Sequence, residues 1–329
     1  MYKSLWDFGR AANAKYGAHA VDEYPTKILP QAASIIVERY SSLEDTILDP
    51  FCGGGTFAIE AKMHGRNSIN YDINPNAIEI TKKRLNYLTK NRMLEIISKQ
   101  ISQLEKEVFE VSRKYEKIRL NKEIEKLRKR EEGIRNEDSI YNLSKHISEV
   151  ADSRELKLPD ESVDAIITDI PYASMIQYSD LEEDLSTILD YETFLVEIQK
   201  AFEKMLKTLK RGKYCIIFVA DYRVAAARKI LPVHSDVIQI MNKLGATLFD
   251  LYIWRYYRSG GFRPFGRRPF QAMNIHSYIL VFYKQRGDEK FLGKVNRPIR
   301  YRNSLVRKIS KTNEKPLDKF LANNFKIKA

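Results

Sequence analysis

Asp49-Pro50-Phe51-Cys52-Gly53-Gly54-Gly55-Thr56-Phe57 is the stretch whose reading decides the fold. Gly53 and Gly55 allow a tight turn and let a ligand approach the backbone with no Cβ in the way. Thr46-Ile47-Leu48, just before, is a short buried-strand pattern, and Thr56 to His64, just after, reads as a helix closed near Gly65. Ser68-Ile69-Asn70-Tyr71-Asp72 is a second strand ending on an acid, and Asn74-Pro75-Asn76 then opens another helix, with Pro75 suited to its first position. Strand, glycine turn, helix and acid-terminated strand make the nucleotide-binding half of a doubly wound sheet. The step from Gly53 to Asp72 is close to the roughly 20 residues at which a ribose-binding acid stands. Asp72 also reads as an N-cap for the helix behind it.

The turn is not a phosphate loop, because no Gly-Lys-Ser/Thr follows, and it does not match Gly-x-Gly-x-x-Gly. An acid, Asp49, stands just before it. A carboxylate there suits a cationic or amine-bearing ligand better than a pyrophosphate. S-adenosylmethionine, with an α-amino group and a sulfonium, therefore fits better than NAD. Asp152, in Ala151-Asp152-Ser153-Arg154, reads either as an acceptor for an adenine amino group or as a plain turn acid.

Elsewhere, residues 25–41 read as an amphipathic helix after Pro25. From 77 to about 145 the chain is highly charged and poor in Gly and Pro, which predicts one or two long helices inserted into the α/β pattern. That insertion reads as a solvated or dimerising excursion, or as a substrate-contacting module. Val163 to Asp169 is a strand, 192–210 a helix, Tyr214 to Val219 a strand buried on both faces, and 223–244 a helix ending near Gly245. Thr247 to Tyr257 and Ser277 to Tyr283 read as a closing strand pair joined by a long loop. From Gln285 onward thirteen Lys and Arg face four Asp and Glu, a basic tail.

The 329 residues carry a net charge of +13, which favours a polyanionic partner, nucleic acid before a membrane surface. The two cysteines, Cys52 and Cys215, suggest neither a disulfide framework nor a metal site. No apolar run approaches the roughly 20 residues of a membrane span. The expectation is a soluble, cytoplasmic protein with no metal and no membrane partner.

Thr168-Asp169-Ile170-Pro171-Tyr172 closes a predicted strand with chemistry suited to an amine. An exocyclic amine on a base is a poor nucleophile because its lone pair is delocalised into the ring. Accepting hydrogen bonds from both its N–H groups frees that pair. Asp169 offers one acceptor and the Ile170 carbonyl the other, aimed by Pro171, which holds residue 170 extended. Tyr172 offers a face for an extruded base. Cytosine-C5 chemistry would need a cysteine nucleophile beside a base, which neither cysteine provides. The loop from Arg255 to Phe270 interleaves cations with aromatics, and Arg258, Phe262, Arg263, Phe265, Arg267 and Arg268 are its candidates for substrate binding.

Taken together, these residues resemble the N4-cytosine/N6-adenine DNA methyltransferase family over most of 15–90 and 150–285. Tyr24-Pro25-Thr26-Lys27 resembles its cofactor-flanking segment, and Asp49 to Thr56 its S-adenosylmethionine loop. Asp72-Ile73-Asn74-Pro75 resembles its ribose-binding acid and turn, Asp152 its adenine-binding acid, and His276 to Lys284 its closing strand. Asp169 to Tyr172 resembles the catalytic Asp-Pro-Pro-Tyr, with Ile170 in place of the first proline and its carbonyl retained. The resemblance implies an α/β, Rossmann-like methyltransferase with a seven-stranded, mostly parallel sheet. Its halves would be 1–85 and 146–285, with a helical insertion at 86–145 and a basic tail at 286–329. It implies S-adenosylmethionine held by Thr26, Lys27, Asp49, Phe51, Cys52, Gly53, Gly55, Thr56, Asp72, Ile73, Asp152 and Ser153. Catalysis would fall to Asp169, Ile170, Pro171 and Tyr172. RNA amino-methyltransferases share both motifs, so DNA, favoured by the tyrosine–proline segment, and RNA both stay open. A binding subunit that has lost its chemistry is a further alternative.

Overall fold

In the computed structural model, the described residues are 4–8, 17–21, 24, 28–171, 178–224, 229–255 and 276–287. They all belong to one compact unit, Met1–Gly287; the basic tail lies outside them.

In chain order, the first half comprises β1 (Leu5–Asp7), α1 (Pro30–Tyr40), β2 (Thr46–Asp49), α2 (Thr56–Met63), β3 (Asn67–Asp72) and α3 (Pro75–Tyr87). Two long helices follow, α4 (Lys90–Glu110) and α5 (Lys114–Arg135), then a single turn, α6 (Ile140–Leu143), and β4 (His146–Val150). The second half comprises β5 (Val163–Asp169), α7 (Tyr191–Thr208), β6 (Leu209–Val219), β7 (Tyr222–Val224), β8 (Lys229–Leu231), α8 (Val233–Lys243), β9 (Ala246–Arg255) and β10 (His276–Lys284). One eight-stranded sheet runs β1-β9-β10-β6-β5-β2-β3-β4. The run β6-β5-β2-β3-β4 is parallel throughout, and β10 lies antiparallel between β6 and β9.

The sheet is covered on both faces, which is why its central strands are continuous apolar runs. In β6 the side chains alternate between two cores. Ile216 and Phe218 pack with Ala33, Ile36 and Val37 of α1, while Cys215, Ile217 and Val219 pack with Phe194, Ile198 and Phe202 of α7 and Val237 of α8. A third core joins α2 to the α4–α5 hairpin through Ile59, Met63, Ile97, Ile101, Ile124 and Leu127. A polar cluster fastens the same joint: His19 Nε2 meets Glu60 Oε1 at 2.7 Å, and Arg130 Nη2 meets His64 Nδ1 at 2.9 Å.

Four elements differ from the sequence expectation. The first helix starts at Pro30, the conformationally preset first position, rather than directly after Pro25. The expected helix over 223–244 is α8 alone. Pro232 caps it, and a proline inside a helix would cost a hydrogen bond, so the residues ahead of it pair as the β7–β8 hairpin. Strand β6 begins at Leu209, with Gly212 inside it at φ 76° where the pairing to β5 shifts register; that glycine does not end a helix. The sheet has eight strands because the three-residue β1 adds to the edge beside β9, and its Trp6 ring lies 4.8 Å from that of Tyr252.

Candidate active site

The strand order reverses between β2 and β5, and the carboxyl ends of those two strands open the crevice in which such sheets bind ligands. Asp49 ends β2 and is 1% exposed. Its Oδ1 accepts from Thr168 Oγ1 at 2.7 Å and from the Phe51 N–H at 3.3 Å. Burial, together with the charges of Asp72 and Asp169, pushes its pKa up to about 8 despite those two hydrogen bonds. No described residue donates to its Oδ2.

The glycine turn is clamped from α3. Thr81 Oγ1 donates to the Gly53 carbonyl at 2.9 Å, and the buried Arg84 guanidinium donates to the carbonyls of Gly54 and Val21. Gly53 and Gly55 have φ of 48° and 74°, the left-handed region glycine favours. A Cβ on Gly55 would meet Thr81 Oγ1 at 2.6 Å, and one on Gly53 would meet the Tyr24 ring at 2.8 Å. Gly55 therefore packs beneath the turn and caps α2, while Gly53 faces the cleft beside Tyr24.

Asp72 ends β3, and both its oxygens are anchored. Oδ2 accepts from the Gly53 N–H at 2.8 Å and Oδ1 from the Asn74 N–H at 2.9 Å. Each keeps a lone pair for a hydroxyl. Burial raises its pKa to about 6 against those hydrogen bonds. Asn74 takes the capping role instead, accepting from the Asn76 N–H at 2.9 Å. The next wall comes from Asp152 and Ser153, after β4. Arg154 grips Asp152 through Nε at 3.0 Å and Nη2 at 2.6 Å, and reaches Glu197 at 2.9 Å. The opposite wall is Glu183, Asp184 and Leu185 with Tyr178, whose ring stacks on Tyr24 at 6.2 Å. Buried Asp184 orders that wall, accepting from Ser179 Oγ at 2.6 Å and the Ser186 N–H at 2.8 Å.

Asp169 ends β5, and Asp169, Ile170 and Pro171 line the same cleft. The Ile170 side chain is 1% exposed and belongs to the core beneath α7 and α8, so apolar packing pins the backbone where a ring would otherwise stiffen it. Tyr172 lies outside the described residues, as do Thr26, Lys27 and the loop residues Arg258, Phe262, Arg263, Phe265, Arg267 and Arg268. Phe51, Cys52, Thr56 and Ile73 complete the lining from the first half of the chain. Burial and the charges of Asp72 and Asp49 push the Cys52 thiol well up, so it is no thiolate nucleophile. No metal-binding cluster occurs among the described residues.

The charged residues that line the cleft are all acidic: Asp49, Asp72, Asp152, Asp169, Glu183 and Asp184. Such a set of acceptors fits a ligand with cationic groups and a ribose, and repels a pyrophosphate.

Residues 19–239 match the family described as RMKL-like, methyltransferase domain, and residues 163–328 match the family described as DNA methylase. The chain belongs to both methyltransferase families. The type II methyltransferase M.MjaII of Methanocaldococcus jannaschii is 37% identical over 57 residues, 17% of this chain and 11% of that protein. The type II methyltransferase M.MthZI of Methanothermobacter thermautotrophicus is 40% identical over 55 residues, 17% of this chain and 16% of that protein. The methyltransferase thus spans a small part of the length of these relatives. A SAM-dependent methyltransferase structure from Methanosarcina mazei has 12% identity and a TM-score of 0.43, covering 76% of this chain and 97% of that one.

In this methyltransferase, sequence reasoning missed Thr81, Arg84 and Asp184, which fix the cleft without advertising it. Thr81 and Arg84 sit three apart on one face of α3, and a buried arginine on an apolar helix face is the one signal they give.

Proposed function

We propose that the protein transfers a methyl group from S-adenosylmethionine to an exocyclic amine, N6 of adenine or N4 of cytosine, in DNA. The observation that carries this reading is the joining of two acid-terminated parallel strands: Asp49 beside the glycine turn and Asp169 beside Ile170-Pro171 open into one cleft. The acidic lining and the membership in the DNA methylase family support the cofactor and the polymer.

S-adenosylmethionine supplies an already activated methyl group. The chain's own residues bind and orient. Asp49 Oδ2 takes the ammonium of the cofactor and Asp72 its ribose hydroxyls. Asp152 and Ser153 flank its base. On the neighbouring strand end, Asp169 and the Ile170 carbonyl accept from the two N–H groups of the target amine, localising its lone pair for in-line attack. Proximity and orientation provide most of the acceleration.

Purified protein is given labelled S-adenosylmethionine with unmodified genomic DNA and, separately, total RNA, followed by nucleoside analysis. Label in N6-methyladenine or N4-methylcytosine of DNA is the expected result. Label confined to RNA would overturn the choice of polymer, and label in neither would overturn the reaction.

A further inference from the structure

The α4–α5 hairpin is held to the body at one end only. The buried residues of α4 are Met93, Ile97 and Ile101, and those of α5 are Leu120, Ile124, Leu127 and Ile134, so the burial stops short of the turn joining the helices. Lys126 pairs with Glu38 of α1 at 3.1 Å and Arg130 reaches His64, which caps the end of α2, both at the anchored end. With 21 residues in α4, the hairpin is about 30 Å long.

Toward the turn the chemistry changes. Phe109 is 89% exposed and Tyr115 78%. Tyr115, Arg119 and Lys122 follow one another at helical spacing on one face of α5, with Ile118 beside them. Between 109 and 122 there are five cations, Arg113, Lys114, Lys117, Arg119 and Lys122, against two acids, Glu110 and Glu116. Among the described residues none of those five makes an ion pair, whereas Lys126, Arg128, Lys129 and Arg135 of the same helix all do. A solvated helix stabilised for its own sake would pair its cations at i and i+4, as Lys129 and Arg135 do with Glu125 and Glu131. Exposed aromatic rings set among unpaired cations match a polyanion with stacked bases. Two copies meeting tip to tip would instead bring like charges together.

We propose that the hairpin tip, formed by Phe109, Tyr115 and the cations Arg113, Lys114, Arg119 and Lys122, binds duplex DNA as a second contact outside the catalytic cleft. This rests on the DNA reading above for the identity of the polymer. The cations take backbone phosphates, contributing affinity without sequence choice. The rings add apolar contact in the groove.

The test compares the full chain with two variants: R113Q/K114Q/R119Q/K122Q, and F109A/Y115A. Circular dichroism verifies folding, and binding to a 30-base-pair duplex is followed by fluorescence anisotropy across a salt series. Each neutralised phosphate contact removes about 0.9 from the slope of log K against log salt, so the charge variant is expected to lose a slope of about 3 to 4. The aromatic variant is expected to bind more weakly with its slope unchanged, because apolar contact in the groove releases no counterions. Both should keep wild-type turnover on saturating DNA. An unchanged slope in the charge variant, while wild type still binds and methylates, overturns the tip contact alone. Loss of self-association in sedimentation, with DNA binding intact, assigns the tip to a second copy and overturns it as well. An effect seen with an RNA hairpin but not the duplex overturns the choice of DNA. No methyl transfer by wild type to either polymer would overturn the proposed function instead, and is read separately from binding.

Discussion

Thr168 Oγ1 donates to Asp49 Oδ1 at 2.7 Å, a bond between the penultimate residue of β5 and the last residue of the neighbouring parallel strand β2. It ties the glycine turn to the Asp169-Ile170-Pro171 loop across the point where the sheet order reverses. Thr168→Val keeps the shape and removes the bond. It leaves buried Asp49 short of a donor, at a cost of about 1–3 kcal/mol. Chemical denaturation would measure that loss, and cofactor affinity should fall with it.

Asp49 carries a pH signature. Its folded pKa of about 8 lies above the ordinary 3.8, so the folded state binds the extra proton between those values. The stability it contributes is fully present below the unfolded value and is lost as pH rises through the folded one. Denaturation at pH 5 and pH 8.5 should show this slope flattened in Asp49→Asn. An ammonium docking at Asp49 favours the ionised carboxylate, so cofactor binding near pH 7 should release a proton. Calorimetry in buffers of differing ionisation enthalpy would detect the release, and Asp49→Asn should abolish it.

The joint beneath the hairpin titrates in the opposite sense. Burial, with Arg130 nearby, pushes the His64 pKa well below 6.5, while Glu60 opposes that shift. A histidine with a lowered folded pKa contributes stability that is present above the unfolded value and lost as pH falls. Thermal stability should therefore fall from about pH 6.5 downward. His64→Gln should show a shallower decline over that window.

Gly55→Ala tests the clamp on the glycine turn. The variant needs a Cβ at φ 74° and 2.6 Å from Thr81 Oγ1. Strain of about 1–3 kcal/mol is expected. Differential scanning calorimetry should register it as a lowered Tm. An unchanged Tm would mean that the turn repacks freely.

Much of this was legible in the sequence because local chemistry forces it. The glycines, the acids ending β2, β3 and β5, and the proline after Ile170 each have a backbone reason that holds in any context. The long α4–α5 hairpin was legible for the same reason: an unbroken charged stretch without Gly or Pro has few alternatives. What escaped was set by distant neighbours. Strand β1 owes its pairing to β9, some 250 residues away, and three residues carry no period. Gly212, just past the expected helix over 192–210, serves a strand irregularity. Arg84 reads as a surface charge until the carbonyls of Gly54 and Val21 are brought to it. Asp152 shows an ion pair with Arg154 that its turn sequence does not distinguish from an open acceptor.

The proposed reaction depends on Asp169, beside the Ile170 carbonyl, preparing an amine for methyl transfer. The direct measurement is single-turnover transfer of labelled methyl to DNA by wild type and Asp169→Ala, with cofactor affinity and folding followed in both. The expected result is loss of transfer with cofactor affinity and melting temperature retained. Transfer at the wild-type rate by folded Asp169→Ala would contradict the account.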